Sequence, residues 1–385
     1  MSFGNLSIAS GYEEKFYATA ETTFGTMVKP SGTDAIRIKK SVFTPSQERV
    51  NRADKRGSRS VQERITRKKK VEWSATAYLC PSGTAGTEPD DGALLEAVFG
   101  SKTESAGVSW TYSLALDIDK SFSLHRICGE YAESITGAVV NQVIFRVRGE
   151  EEAEIEYSGF ASDFIFTSRG ALAASAASGA TSLTVTSDTL DNIEVNSVIK
   201  IGDDTNSGAG FKVSAINGTT VTIEDGLTDD ADNGAVILPY FPDTTTAGSP
   251  LGCFPGTISI DGTNVYLTTL EITLSNNITM RNDEFGSSTA RGYTSSDFRS
   301  VTISGTAYAC QGYGLYRGKS RDFEDVDIQI TLGDTAGSQV EINLDHVEFN
   351  IIPLEIPESN ECTLTFEGQA LASSSGEDEI NVIYK

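Results

Sequence analysis

Two stretches of this chain, 230 residues apart, carry nearly the same residues in the same order. VEWSATAYLC from Val71 and VTISGTAYAC from Val301 share Val, Ser, Thr-Ala-Tyr and Cys in register. Gly32-Thr33-Asp34 and Gly262-Thr263-Asn264 repeat at the same offset of 230. A third pair, AEIEYSGFA from Ala153 and CTLTFEGQA from Cys362, is offset by 209, so the second repeat is 21 residues shorter between landmarks. A spacing held without a gap between separate landmarks marks a duplicated unit better than it marks chance likeness between strands. The surplus of the first repeat is expected in the Pro/Gly/Thr loop after Cys80 and around the turn near Ser105.

Polarity alternates within the landmarks. Val71, Trp73, Ala75 and Ala77 share one face, and Glu72, Ser74 and Thr76 the other. Val301, Ile303, Gly305 and Ala307 oppose Thr302, Ser304 and Thr306, and Ile155 and Tyr157 alternate with Glu154 and Glu156. Period two with one polar face predicts antiparallel strands that cover a core on one side and meet water on the other. One helix is predicted in the first repeat, with Asp90 and Asp91 as caps, Leu94, Leu95 and Val98 as its apolar stripe and Gly100 at C′. GYGLYRGKSRDF, after Cys310, is expected to be its degenerate counterpart.

Residues 171–243 interrupt the repeats. They open with ALAASAASGATS and continue as the short strands LTVTS, SVIKIG, GFKVSAI, TTVTIED and AVILPYF, with turn signals that include Asn217-Gly218. This reads as a small β-barrel or sandwich inserted at a surface loop, where few contacts cross the chain. The expected class is all-β with minor α. The expected domains are 1–170, 171–243 and 244–385, the middle one being the insert.

Charge and composition exclude several functions. A formal net charge of −24 repels DNA and anionic membranes at long range. Cys80, Cys128, Cys253, Cys310 and Cys362 are scattered without zinc spacing, which fits reduced, cytosolic synthesis rather than a disulfide framework. No run reaches the roughly 18 apolar residues of a membrane span. The start, MSFGNLSIASGYEEKF, lacks the basic and apolar regions of a signal peptide. With only His125 and His346, and no GxSxG, P-loop, HExxH or GxGxxG element, neither enzymatic chemistry nor a cofactor is expected. His346 reads as a residue hydrogen-bonded within a sheet. Asp203-Asp204 and the Asp229, Asp230, Asp232, Asn233 cluster do not match the EF-hand spacing, so solvated turn carboxylates are expected, and no metal. Acids are plentiful, and nothing selects a catalytic pair.

Lys39 to Lys70 holds twelve Lys or Arg against three acidic residues, on an otherwise very acidic chain. Three readings compete for this segment. It is a nucleic-acid arm, although no aromatic residues interleave; or a solvated loop; or a self-assembly arm that meets an acidic patch on the next subunit, the reading preferred here. Its candidate residues are Arg49, Arg52, Lys55, Arg56, Arg59, Arg64, Arg67, Lys68, Lys69 and Lys70. The matching stretch of the second repeat, Ser275 to Ser300, is much less basic.

Three further stretches carry a resemblance: ETTFGT (Glu21 to Thr26), the helix DDGALLEAVFG, and LEITLSNNITMRNDEFG (Leu270 to Gly286) followed by the VTISGTAYA strand. In this order, over residues 12–170 and 245–385, the chain resembles the tail tube proteins of phages with long, non-contractile tails. The insert is outside the resemblance and is similar, more loosely, to domains that decorate tube exteriors. The resemblance implies orthogonally packed antiparallel sheets with a flanking helix, joined sideways between subunits into a ring. It implies a long loop, at the position of the basic segment, that reaches the neighbouring ring. Six tube units to a ring make a chain with two of them a pseudo-hexameric trimer. The implied role is a structural virion protein, made in the host cytoplasm, whose stacked rings guide DNA into the host. The implied partners are itself, the tape measure, the tail terminator and the baseplate; DNA passes without specific binding, and no membrane is contacted. An acidic wall lets a polyanion slide, and Glu72, Glu154, Glu156 and Glu367 are its candidates. The alternative is a surface adhesin or a receptor-binding domain of the tail tip.

Overall fold

The structure is a computed structural model that describes residues 9–55, 57 and 59–385. The first repeat region forms β1 (Lys15–Ala20), β2 (Ala35–Ile36), β3 (Lys40–Asn51), β4 (Arg64–Tyr78), the helix α1 (Gly92–Phe99), β5 (Gly100–Ser105), β6 (Ser109–Leu114), β7 (Phe122–Cys128), β8 (Tyr131–Arg148), β9 (Glu154–Ala161) and β10 (Asp163–Thr167). The interrupting segment forms β11 (Gly170–Ala171), β12 (Ser182–Thr184), β13 (Val198–Ile201), β14 (Phe211–Asn217), β15 (Thr220–Ile223) and β16 (Val236–Pro239). The second region forms β17 (Thr257–Ile260), β18 (Thr263–Asn264), β19 (Leu267–Ser275), β20 (Ile278–Met280), β21 (Tyr293–Ser295), β22 (Ser300–Tyr308), α2 (Gly314–Asp322), β23 (Asp325–Thr335), β24 (Ser338–Phe349), β25 (Leu354–Glu355), β26 (Thr363–Ala370) and β27 (Asn381–Tyr384). The protein is therefore all-β with minor α.

The landmark strands pair with one another identically in both regions. β4 meets β9 from Val71↔Ala161 to Tyr78↔Glu154, and β22 meets β26 from Val301↔Ala370 to Tyr308↔Thr363. The offsets of 230 and 209 convert one register into the other without a slip. A one-residue slip would turn every core residue to water, so shared register means a shared plan of burial.

β8 belongs to two layers. Its first half pairs with β7 and β10 and its second half with β9. The strand turns the corner at Gly137, where φ is +62° and an added Cβ would lie 2.5 Å from Ser162 Oγ and 2.9 Å from the Phe24 ring. Only glycine fits there. β24 is shared as well: it pairs with β27 from Val340 to Asn343 and with β26 from Val347 to Phe349, while β23 runs along both parts.

The surplus of the first region lies at both expected places. Residues 81–91 separate Cys80 from α1, where only 311–313 separate Cys310 from α2. After α1 comes the β5–β6 hairpin, whereas α2 leads directly into β23. The hairpin reaches across the molecule, and β6 pairs with β27 from Trp110↔Tyr384 to Ser113↔Asn381.

Leu94, Leu95 and Val98 of α1 are buried, and Gly100 ends the helix at φ +93°. The capping expectation is corrected by the structure. Asp91 holds the N-cap position, but its carboxylate accepts the Tyr157 hydroxyl at 2.6 Å instead of a helix N–H. Asp90 accepts the N–H of Ala247 at 3.0 Å. One continuous hydrophobic core runs from Phe16 to Tyr384 through both repeat regions. The segment between them has a core of its own, from Leu172 to Ile237. Its strands run in the order β11-β16-β13-β14-β15-β12, and Ala173 N–H to Thr184 O at 2.8 Å closes them into a small barrel.

Candidate assembly interface

Four strands of each region lie side by side in matching order, β3-β4-β9-β8 and β19-β22-β26-β25. The two sets are joined inside the chain. β8 pairs with β19 from Gln142↔Ser275 to Arg148↔Thr269, so eight strands make one sheet. The joint is dry on one side, where Phe145, Tyr157 and Ile272 are buried. On the other side Arg146 sits between Glu156, at 2.5 Å, and Glu271, at 2.9 Å. Among the described residues, the outer edges of β3 and β25 carry no strand partner.

The wet face of this sheet is a field of hydroxyls and carboxylates. Ser74, Ser158, Thr273, Thr302, Ser304, Thr306 and Thr365 lie on it in paired rows. Its charged residues include Glu72, Glu154, Glu156, Glu271, Glu348, Glu355 and Glu367 against Lys40, Arg146 and Arg148. Of the four wall candidates, Glu72 and Glu367 are exposed. Glu154 is tied to Lys39 at 2.5 Å, and Glu156 to Arg146 at the same distance.

The basic segment is a β-hairpin arm, in which β3 and β4 pair out to Asn51↔Arg64. Arg49, Arg52, Lys55, Arg59, Arg64 and Arg67 are exposed along it, and Arg56 lies outside the described residues. Arg52 pairs with Asp54 at 2.9 Å and with Glu63, and Arg67 with Glu48 at 3.4 Å. The base of the arm is bound within the chain. Lys68 donates to the carbonyl of Glu284 at 2.7 Å, and Lys69 pairs with Asp163 at 2.6 Å, over the Phe164 ring. Lys70, between these contacts and Val71, is exposed. The corresponding hairpin of the second region, β20–β21, is three residues long on each side.

Two of the quoted motifs acquire a physical cause. Glu21, first residue of ETTFGT, accepts hydrogen bonds from Gly25 N–H at 2.8 Å and from Ser121 Oγ, Ser123 Oγ and Gly137 N–H at 2.9 Å each. One carboxylate thereby ties its own loop to β7 and to the corner of β8. Asn276, in LEITLSNNITMRNDEFG, is buried; it donates to Val98 O at 2.8 Å and accepts from Arg299 Nε at 3.0 Å. It satisfies a carbonyl at the end of α1 that the helix leaves unpaired. Sequence spacing alone named neither contact.

The two histidines hold structural positions. His125 is fully buried between Ser134 Oγ at 2.8 Å and Val28 O at 2.9 Å, and burial lowers its pKa to about 4. It is neutral near pH 7, so Nε2–H donates to Val28 and Nδ1 accepts from Ser134. His346, at φ +61°, pairs with Asp325 at 2.8 Å across the β23–β24 hairpin. Asp204 accepts the N–H groups of Asn206, Thr228 and Asp229, at 2.8–3.1 Å, which makes it a turn anchor. Among the described residues no cluster of His, Cys, Asp and Glu is arranged to hold a metal ion.

A family model described as "Phage tail tube protein" matches residues 11–370. The chain belongs to the phage tail tube protein family. The match runs through both repeat regions and the segment between them. A search of curated protein sequences returned no match. Membership makes this a structural protein of the phage tail, in a family that assembles with itself and with other tail proteins. No helix in the described residues is long and apolar enough to cross a membrane.

Proposed function

We propose that this tail tube protein polymerises as stacked trimeric rings of pseudo-sixfold symmetry, and that the wet face of the eight-stranded sheet lines a channel that conducts DNA into the host. The observation that carries the reading is the pair of four-stranded layers, joined edge to edge inside the chain and open at both outer edges. A chain with one free edge of each kind makes a repeating, head-to-tail contact, which closes as a ring. On this reading residues 1–170 and 244–385 are the duplicated tube units, and 171–243 is an outward-facing accessory barrel.

Hydroxyls and carboxylates do not hold a polyanion, whereas cations do. Rows of Ser and Thr, with Glu72 and Glu367 supplying exposed negative charge, suit a wall past which DNA must move. The arm from Arg49 to Arg67 carries exposed cations and reaches the adjoining ring, where complementary charge fixes the register. In the tail, the tape measure fills the channel before ejection, and the terminator and baseplate meet the two ends of the tube.

Negative-stain electron microscopy of the purified protein tests this. The expected result is tubes of uniform width. Replacing residues 49–66 by a two-residue Asn-Gly turn is expected to leave single rings with an unchanged melting temperature. A protein that stays monomeric at high concentration in every condition would sink the reading.

A further inference from the structure

We infer that the open edge at Pro353–Pro357 pairs, antiparallel, with Lys40–Thr44 of a neighbouring chain, in the register of the joint that the chain already makes with itself. The inference rests on the ring reading above and adds the residues that close the ring.

The internal joint serves as a template because both of its strands have counterparts on the open edges. On one side, β25 meets β26 at Leu354↔Leu364 and Glu355↔Thr363. β8 meets β9 at Phe145↔Ile155 and Arg146↔Glu154, so the offset of 209 carries Phe145 to Leu354 and Arg146 to Glu355. On the other side, β19 meets β22 at Glu271↔Ser304 and Ile272↔Ile303, and β3 meets β4 at Val42↔Ser74 and Phe43↔Trp73. Val42 therefore stands where Glu271 does, and Phe43 where Ile272 does. The internal pairs Phe145↔Ile272 and Arg146↔Glu271 become Leu354↔Phe43 and Glu355↔Val42 between chains.

Burial points the same way. Phe145 and Val147 are 1% and 9% exposed at the internal joint, while their counterparts Leu354 and Ile356 are 38% and 73% exposed. Leu354 stands opposite the buried Leu364, and among the described residues no strand lies on its outer side. An edge strand with unpaired backbone groups and apolar side chains recruits another strand.

The prolines mark which edges are open. β8 and β19 contain none, whereas β3 carries Pro45, and Pro353 and Pro357 bracket the other edge. Proline is tolerated on edge strands and removes a ladder donor, so the joint between chains has fewer hydrogen bonds than the joint within one. The charges are recast as well. Glu355 takes the place of Arg146, and its cation is Lys40, two residues from Val42 on the same face and within diagonal reach.

The test uses full-length chain carrying Val42→Cys and Glu355→Cys, assembled and then oxidised with copper phenanthroline. The parent chain, with its five free cysteines, sets the background. A chain carrying Ser46→Cys and Glu355→Cys, four residues out of register, is the comparison. Covalent closed trimers are expected from the first variant, at least tenfold above the shifted one on a non-reducing gel. Tubes that form but cross-link in the shifted variant, or in neither, overturn this joint and leave the ring reading standing. A parent chain that forms no rings overturns both.

Discussion

β4 and β9 belong to a region that buries an acid and a histidine, whereas β22 and β26, in the same register, belong to one whose buried side chains are nearly all apolar. Asp91, His125, Ser123, Ser134 and Thr136 are buried in the first region. From residue 244 onward, only Asn276 and Ser320 are buried polar residues among those described. The backbone plan therefore does not dictate core chemistry; the loops that must be anchored do. The residue that follows the first strand of each region shows this. Glu21, after β1, gathers four donors, including the corner of β8. Asp261, after β17, pairs with Lys319 at 2.7 Å near the surface and accepts one N–H, from Asp327 at 3.1 Å.

The largest expected effect comes from breaking that contrast. Hydrogen bonds to a charged acceptor contribute about 1.5–3 kcal/mol each and do not add fully, so Glu21→Ala should cost roughly 3–5 kcal/mol. Asp261→Ala removes one half-buried ion pair and one N–H hydrogen bond and should cost about 1–2 kcal/mol. Urea denaturation of the two variants before assembly measures both. Equal losses would mean that Glu21 is not the organiser of its corner.

Acid titration sharpens the comparison next. Burial raises the pKa of Asp91 from 3.8 to about 6, and burial lowers that of His125 from 6.5 to about 4. For Asp91 the folded state binds the proton more tightly than the unfolded one, so stability falls as pH rises from 3.8 to 6. For His125 the unfolded state binds it more tightly, so stability is complete above 6.5 and is lost as pH falls toward 4. Each contribution is roughly 3 kcal/mol, and between about pH 4 and 6 the two oppose each other. Asp91→Asn, which still accepts from Tyr157, should expose the histidine: its melting temperature should fall steeply with acid. His125→Gln should show the reverse slope. Parallel melting curves for both variants from pH 4 to 6.5 would show that these groups do not set the pH response.

Much of this was legible in the sequence because it is local or repeated. Alternation gave the wet and dry faces of β4, β9 and β22, and the offsets of 230 and 209 foretold which strands are equivalent. The stripe and stop of α1 were visible in Leu94, Leu95, Val98 and Gly100. What escaped depends on distant partners. Asp91 holds the N-cap position, but nothing local shows that its carboxylate turns to Tyr157, 66 residues away. Lys68 and Lys69 looked like the rest of the arm, yet they dock on Glu284 and Asp163. The β8–β19 joint had no signature either, since any alternating strand matches any other until topology brings two edges together.

The smallest effect concerns one contact between the two regions. The β6–β27 pairing sets Tyr384 edge-on to Tyr112, with centroids 5.9 Å apart, and its hydroxyl has no hydrogen-bond partner among the described residues. Tyr157 is buried as deeply but donates to Asp91. The same change at the two positions should therefore act with opposite sign. Tyr157→Phe strands a buried carboxyl and should cost about 1–3 kcal/mol, whereas Tyr384→Phe removes an unsatisfied group and should be neutral or stabilise by up to about 1 kcal/mol. If Tyr384→Phe proves as damaging as Tyr157→Phe, then a buried water satisfies the hydroxyl, and the strand from the apolar region contributes a polar tie of its own.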